Sequence, residues 1–242
     1  MLYNSLLEKI QDFSSKLDEI KSENLGFPWY PYGTLNNFYH LQPLITSEID
    51  EMFSGGKRIA DIGAADGDLA FFLESLGHQV DIYDHPPTNM NGLRGATRLK
   101  EVLKSAVNVY DVDLDSQMKL HKNYDLIVLL GILYHLKNPF YVLETLARST
   151  KHLIVSTRIA RRFHEQGPDM SSMPVAYLLS PTESNNDATN YWIFTDQGLK
   201  RIIDRAGWNV VAYRTVGDLL DSNPQQADHD ERAFAILRSR HV

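Results

Sequence analysis

The sequence has no cysteine among its 242 residues, which excludes a disulfide framework, a thiolate nucleophile and a cysteine-held metal together. Nor does it contain an apolar run near the roughly 20 residues that a spanning helix requires. The opening stretch, MLYNSLLEKIQDF, lacks a basic flank followed by an apolar signal core. A cytoplasmic location without membrane association is therefore expected. Positive charge is also scarce: 24 Lys and Arg against 31 Asp and Glu give a net charge of −7, which disfavours broad attraction to phosphate backbones. Arg158, Arg161 and Arg162 form the one tight basic cluster that follows an expected strand. No internal repeat is visible. With 43% hydrophobic and 23% charged residues, the chain can build one substantial core.

The first segment reads as an amphipathic helix, because Leu6, Ile10, Phe13, Leu17 and Ile20 recur at alternating spacings of four and three. Ser5 with Glu8 has the capping-box pattern. Gly26 and Pro28 break the helix, an aromatic stretch from Phe27 to Gly33 follows, and a second helix is expected over residues 35–53. From Arg58 onward strands and helices alternate, the pattern of a parallel α/β sheet. Strands are expected at 58–62, 79–83, 106–110, 126–130 and 153–157, the fourth being apolar throughout as a strand buried on both faces should be. Helices are expected after the first two strands, behind Pro139 and behind Thr195. Residues 208–215 and 233–238 read as a closing antiparallel pair. The expected fold is thus a Rossmann-like, doubly wound α/β sheet of seven strands, the last antiparallel, with an N-terminal helical cap. The cap would cover residues 1–54 and the main domain 55–242, with a substrate-recognising insertion at about 158–194, where the chain is long, polar and irregular.

The most informative stretch is Arg58-Ile59-Ala60-Asp61-Ile62-Gly63-Ala64-Ala65-Asp66-Gly67, a short strand that ends in an acid and empties into a turn opening a helix. Such a turn offers backbone N–H groups, and the acid a carboxylate, to a ligand carrying amine, carboxylate and ribose groups, which points to an adenosyl cofactor. A dinucleotide fingerprint would need its third small residue at Asp68, where an acid spoils close helix packing. Small residues stand instead at Gly63, Ala65 and Gly67. Asp84 ends the second strand, where its two oxygens can accept both ribose hydroxyls. After the third strand Asn108 and Asp111 compete for the adenine edge, with Asn108 favoured. Gly131 permits close backbone approach, and Tyr134 and His135 follow it; His135 is either a histidine that orders a neighbouring loop or a general base. Trp29, Tyr30, Tyr191 and Trp192 could wall the site, and Arg158 could grip an anionic acceptor. No metal is expected, since Gly131 stands where a chelating acid would follow the fourth strand.

The glycine turn resembles the first motif of class I S-adenosylmethionine (SAM) methyltransferases, acid-x-Gly-x-Gly-x-Gly, with Ala65 in the middle place. Together with GILYHLKNPFYVLE and with NNDATNYWIF at 185–194, it resembles a family of such enzymes that includes the one completing the oxyacetyl modification of wobble uridine in tRNA. The resemblance spans roughly residues 27–215. It implies SAM as cofactor, Asp61, Gly63 and Gly67 against its methionine end, Asp84 on its ribose, and Tyr134 with His135 at the transfer site. The expected activity is methyl transfer to an oxygen or nitrogen of a small molecule. The alternatives are modification of tRNA by a methyl or carboxymethyl group, and non-catalytic SAM binding.

Overall fold

Burial of a helical stripe fixes the beginning of the fold. In the computed structural model, helix α1 (Leu2–Glu23) buries Leu6, Ile10 and Leu17, three of the five residues whose spacing marked its apolar face. The structure describes residues 2–45, 50, 51, 53 and 55–242. The side chain of Ser5 lies outside the described residues, and the helix is already under way at Leu2, so the expected capping box does not mark its start. The helix expected over 35–53 falls partly outside the described residues as well. Its described part is a 3-10 turn at Thr34–Asn36, a short helix α2 (Asn37–Leu41) and a second 3-10 turn at Gln42–Leu44. Pro43 in that last turn lacks the N–H that would continue an α-helix.

The chain forms two compact units, Met1–Asp113 with Asn123–Val128, and Leu114–Lys122 with Leu129–Val242. The cap expected at 1–54 therefore shares a unit with the first strands. In the first unit, β1 (Arg58–Ile62) lies between β2 (Gln79–Asp84) and β4 (Tyr124–Leu130), and β3 (Asn108–Asp111) lies beyond β2, all parallel. The register aligns Ile62 with Tyr83, and Asp84 with Asp111, so these carboxyl ends share one edge. Helix α3 (Asp68–Ser75) follows β1 and α4 (Arg94–Leu103) follows β2. Phe72 of α3 meets the rings of Phe13 and Phe38 edge-on at 5.6 and 6.1 Å, which seats α1 and α2 on the same helix.

In the second unit, β5 (Thr150–Ile159) pairs antiparallel with β9 (Glu231–Ser239), and β9 pairs antiparallel with β8 (Trp208–Gly217), with a bulge between Val210 and Ala212. Two three-residue strands arise in the expected insertion: β6 (Ala176–Leu178) pairs antiparallel with β7 (Trp192–Phe194), and β7 joins β5 through Phe194 opposite Ile159. With these, the described residues form nine strands where seven were expected. Helix α5 (Pro139–Ala147) starts at Pro139, and α6 (Asp196–Arg205) is capped by Thr195, whose hydroxyl accepts the Gly198 N–H at 3.0 Å. Trp208 is buried, and its indole N–H donates to the Leu143 carbonyl at 2.9 Å, tying β8 to α5. The architecture is a Rossmann-like α/β fold. No helix among the described residues is long and apolar enough to cross a membrane.

A buried ion pair fastens α1 to the turn after β1. The Lys21 ammonium lies 2.8 Å from Asp68 and 3.3 Å from Asp66, and both carboxylates are buried. Removing one partner strands the other charges, which is costly at such burial. Lys21→Met should lower the unfolding free energy by about 3 kcal/mol at pH 7. The loss should shrink near pH 4, because burial holds the Asp68 carboxyl above its ordinary range and lets it take a proton there. Urea denaturation at both pH values checks this.

Candidate functional site

The turn from β1 into α3 is held by backbone geometry that few residues tolerate. Gly63 and Gly67 have φ of 68° and 84°, and Ala65 between them has φ 56°, a left-handed value for a residue with a Cβ. A Cβ on Gly67 would lie 2.8 Å from Phe71 and 2.9 Å from Ile82, so the third small residue of the motif is sterically required. The turn is closed by Gly67 N–H to Ala64 carbonyl at 2.8 Å and Gly63 N–H to Tyr83 carbonyl at 2.8 Å.

Asp61 stands at this turn fully buried. Its carboxylate accepts the backbone N–H of Ala70 in the first turn of α3, but Oδ2 has no hydrogen-bond partner among the described residues. Burial, then the charges of Asp84 and Asp68, push its pKa up to about 7. Asp84 is also buried, and burial raises it to about 6 although three donors meet it: the His85 N–H at 2.7 Å, the Asn89 amide at 3.0 Å and the Ala65 N–H. Two buried carboxyls, one with an orphaned oxygen, beside a turn of small residues fit a ligand bearing an ammonium and hydroxyl groups. The expected cofactor has both.

Residues near this turn divide. Asp111 ends β3 in register with Asp84, and its carboxylate meets the His85 ring at 3.1 Å. Asn108, favoured for the adenine edge, is a correction: it lies at the start of β3, opposite Asp81, and its amide donates to Asp81 at 2.7 Å. The other Asp81 oxygen accepts the Tyr124 hydroxyl at 2.6 Å in the buried interior, so Asn108, itself exposed, lies at the edge of this network. Tyr30, expected among the aromatic walls, lies against the turn after β1. Its N–H donates to Asp66 at 2.9 Å, its hydroxyl accepts the Met90 N–H at 2.9 Å, and burial with the nearby Asp84 charge raises its phenol. Trp29 is spent within the cap, its indole N–H on the Asn24 carbonyl at 2.8 Å and its ring against Phe27 and the Lys21 ammonium.

The second unit gathers Gly131, Tyr134, His135, Tyr191 and Trp192. Gly131 has φ 72°, and its N–H donates to Ser156. Tyr134 packs on Ala160, Leu179 and Ile193, and its carbonyl accepts the Tyr191 N–H at 2.9 Å. The Trp192 indole N–H reaches the Lys137 carbonyl at 3.2 Å, and the Lys137 ammonium sits 5.6 Å from the Tyr191 ring centroid. His135 Nδ1 lies 3.1 Å from the Thr189 carbonyl and 3.0 Å from its hydroxyl. A carbonyl only accepts, so Nδ1 carries the proton and the neutral ring presents its lone pair at Nε2. Burial lowers the His135 pKa, opposed by Asp187 and Thr189.

Arg158 is a second correction. Strand β5 continues to Ile159, so Arg158 is inside a strand and buried, bonded to Asp230 and Ser184. Arg161 and Arg162 are likewise held, by Glu231 and Asp221. The residue the sequence did not indicate is Arg232, directly opposite Arg158 on β9. Its guanidinium pairs with Asp230 at 3.1 Å, stands 5.8 Å from the Tyr134 ring centroid, and would lie 3.8 Å from a Cβ on Gly131. One carboxylate thus serves two guanidiniums. No local motif marks Arg232; the β5–β9 pairing alone brings it to Tyr134.

Comparison with known proteins finds a family described as "Methyltransferase domain" matching residues 38–213. Curated proteins named ubiquinone biosynthesis O-methyltransferase, from Photobacterium profundum and Shewanella halifaxensis, are 27% and 25% identical over 149 and 140 residues, or 57% and 54% of this chain. The alignments span 60% and 56% of those proteins, less than two thirds of their length. Among solved structures, the N-terminal domain of EvdMO1, crystallised with SAH and D-fucose, has a TM-score of 0.60 at 16% identity, covering 95% of this chain and 97% of that one. An S-adenosylmethionine-dependent methyltransferase from Mesorhizobium loti has a TM-score of 0.61 at 14% identity, covering 84% and 97%. At such identities the likeness is one of fold.

The buried Asp61 carries a pH signature. Its folded pKa of about 7 exceeds the unfolded value of 3.8, so its contribution to stability is complete below about pH 4 and is lost as pH rises through 7. Asp61→Asn should flatten this fall, leaving the ligand-free variant more stable than the parent at pH 8 and no more stable at pH 4. Thermal unfolding across that range measures the difference.

Proposed function

The chain belongs to the methyltransferase-domain family, and on that premise we propose that it transfers a methyl group from SAM to a hydroxyl oxygen of a small molecule. The observation that carries this reading is the buried, unpartnered Oδ2 of Asp61 beside the left-handed turn Gly63–Gly67. When bound, SAM supplies a methyl group on a sulfonium, whose departure leaves a neutral thioether. Asp61 would hold the amino group, with the backbone of Gly63, Ala65 and Gly67 against the amino-acid tail. Asp84 would accept from the ribose, and Asp111 would face the adenine edge.

For the acceptor, His135 is the base. With Nδ1 committed to Thr189, Nε2 takes the hydroxyl proton as the oxygen–carbon bond forms and the carbon–sulfur bond breaks. Lowering of its pKa by burial keeps the ring neutral at pH 7, the state a base requires. Tyr134, Tyr191 and Trp192 would order an aromatic acceptor, and the naming of the relatives as O-methyltransferases supports oxygen as the accepting atom. Gly131 leaves the backbone open there.

Isothermal calorimetry with S-adenosylhomocysteine and turnover of labelled SAM against a panel of catechols and phenols test the reading. The parent should bind the product, Asp61→Ala should lose that binding, and His135→Ala should keep it while turnover falls on the order of 100-fold. Unchanged affinity in Asp61→Ala overturns the cofactor assignment. Retention of tRNA at physiological salt, with methyl incorporation into it, would replace the small-molecule acceptor by the tRNA alternative.

A further inference from the structure

Beyond the groups that would touch ligand, the loop after β6 is built around one carboxylate that bonds within the loop itself. Asp187 follows Asn185 and Asn186, which both hold left-handed φ, of 62° and 54°. Such backbone values cost free energy in residues other than glycine and are tolerated best by asparagine. They bring the Asp187 carboxylate under Thr189: its Oδ1 accepts the Thr189 N–H at 2.9 Å and the Thr189 hydroxyl at 2.6 Å. The same hydroxyl lies 3.0 Å from His135 Nδ1, and the Thr189 carbonyl lies 3.1 Å from it. The loop is pinned on both sides, since the Asn190 N–H donates to the Asp187 carbonyl at 3.1 Å and the Asn190 amide to the Ser184 carbonyl at 3.0 Å.

We propose that Asp187 is the positioning residue for His135, acting through Thr189. A hydroxyl has one hydrogen. Because Asp187 takes it, the Thr189 oxygen can only accept from Nδ1, in concert with the carbonyl beside it. The hydroxyl thereby reinforces the Nδ1–H tautomer that the carbonyl already requires, and holds the ring so that the Nε2 lone pair can receive a proton from an acceptor. An amide at position 187 can donate to Thr189 instead, which frees the hydroxyl hydrogen to turn toward Nδ1 and weakens the preference for the Nδ1–H tautomer that the carbonyl alone then maintains. The charged and titratable groups facing His135 are Asp187 in this loop, Arg232 from β9 and the neighbouring Tyr134, whose ring centroid is 4.2 Å away. Asp187 favours the protonated ring and Arg232 opposes it. The role in turnover rests on the reading of His135 as the base; the tautomer itself does not.

Nitrogen-15 correlation spectra of histidine-labelled protein, recorded across pH 5 to 9 without any ligand, test the proposal. The parent should show His135 as the Nδ1–H tautomer when neutral. Asp187→Asn should raise the Nε2–H fraction and move the titration downward, and turnover should fall on the order of 10- to 100-fold with KM for SAM unchanged. Asp187→Glu, which keeps the carboxylate, should restore part of both. If Asp187→Asn does not fold, Thr189→Val removes the same hydroxyl and should shift the titration in the same direction. A His135 tautomer and titration unmoved in a folded Asp187→Asn or Thr189→Val protein overturns the proposal. A shifted tautomer with undiminished turnover in His135→Ala upholds the positioning of the ring and overturns its assignment as base.

Discussion

Carboxylates crowded into a nonpolar turn set the terms for the first unit. Asp61, Asp66, Asp68 and Asp84 are all buried around one short stretch of chain, and water solvates none of them well. Lys21 reaches across from α1 and balances Asp66 and Asp68, while Tyr30 and Asn91 supply further hydrogen bonds to Asp66. This explains why the N-terminal cap and the first strands form one unit: the turn depends on the cap's charge. Asp61 and Asp84 receive no such ammonium, and their raised pKa values express that shortfall. On the reading proposed above, a cationic, hydroxyl-bearing ligand would correct it, so the same electrostatic deficit that weakens the free protein would favour the bound one.

In the second unit the polar groups are arranged differently. Charges there are matched almost pairwise, Arg161 with Glu231 and Arg158 with Asp230, and the histidine is tuned by hydrogen bonds rather than by an isolated charge. Arg232 departs from this pattern because it shares Asp230 with Arg158 and leans over Tyr134. The unit thus offers a neutral, oriented imidazole, aromatic faces and a partly compensated guanidinium, a set suited to a polar aromatic acceptor.

Much of this was legible in the sequence, for physical reasons that differ by element. Strand β4 was readable because burial on both faces demands a continuous apolar run, β1 and β2 because strands alternate with helices there, and the turn after β1 because its φ values demand small residues. Thr195 and Pro139 announced their helices because capping is a local interaction. What failed was non-local. Arg158 read as the exit from a strand since a charge rarely enters a sheet, yet Asp230, distant in sequence, makes its burial tolerable. Asn108 looked right by residue type, but the register places it three residues before the strand end, against Asp81. The three-residue strands β6 and β7 carry too short a pattern to detect, and Pro43 turns part of the described stretch of the helix expected over 35–53 into a 3-10 turn at Gln42–Leu44.

Asp61 stands buried and uncompensated until a cation meets it, and on this the account of the site rests. Carbon-13 spectra of aspartate-labelled protein, following the Asp61 carboxyl with and without saturating S-adenosylhomocysteine, address it directly. In the free protein the resonance should titrate near 7, and the ligand's ammonium should drive that midpoint well below 5. A midpoint already at the ordinary carboxylate value in the free protein, or one that the saturating ligand leaves unmoved, would contradict it.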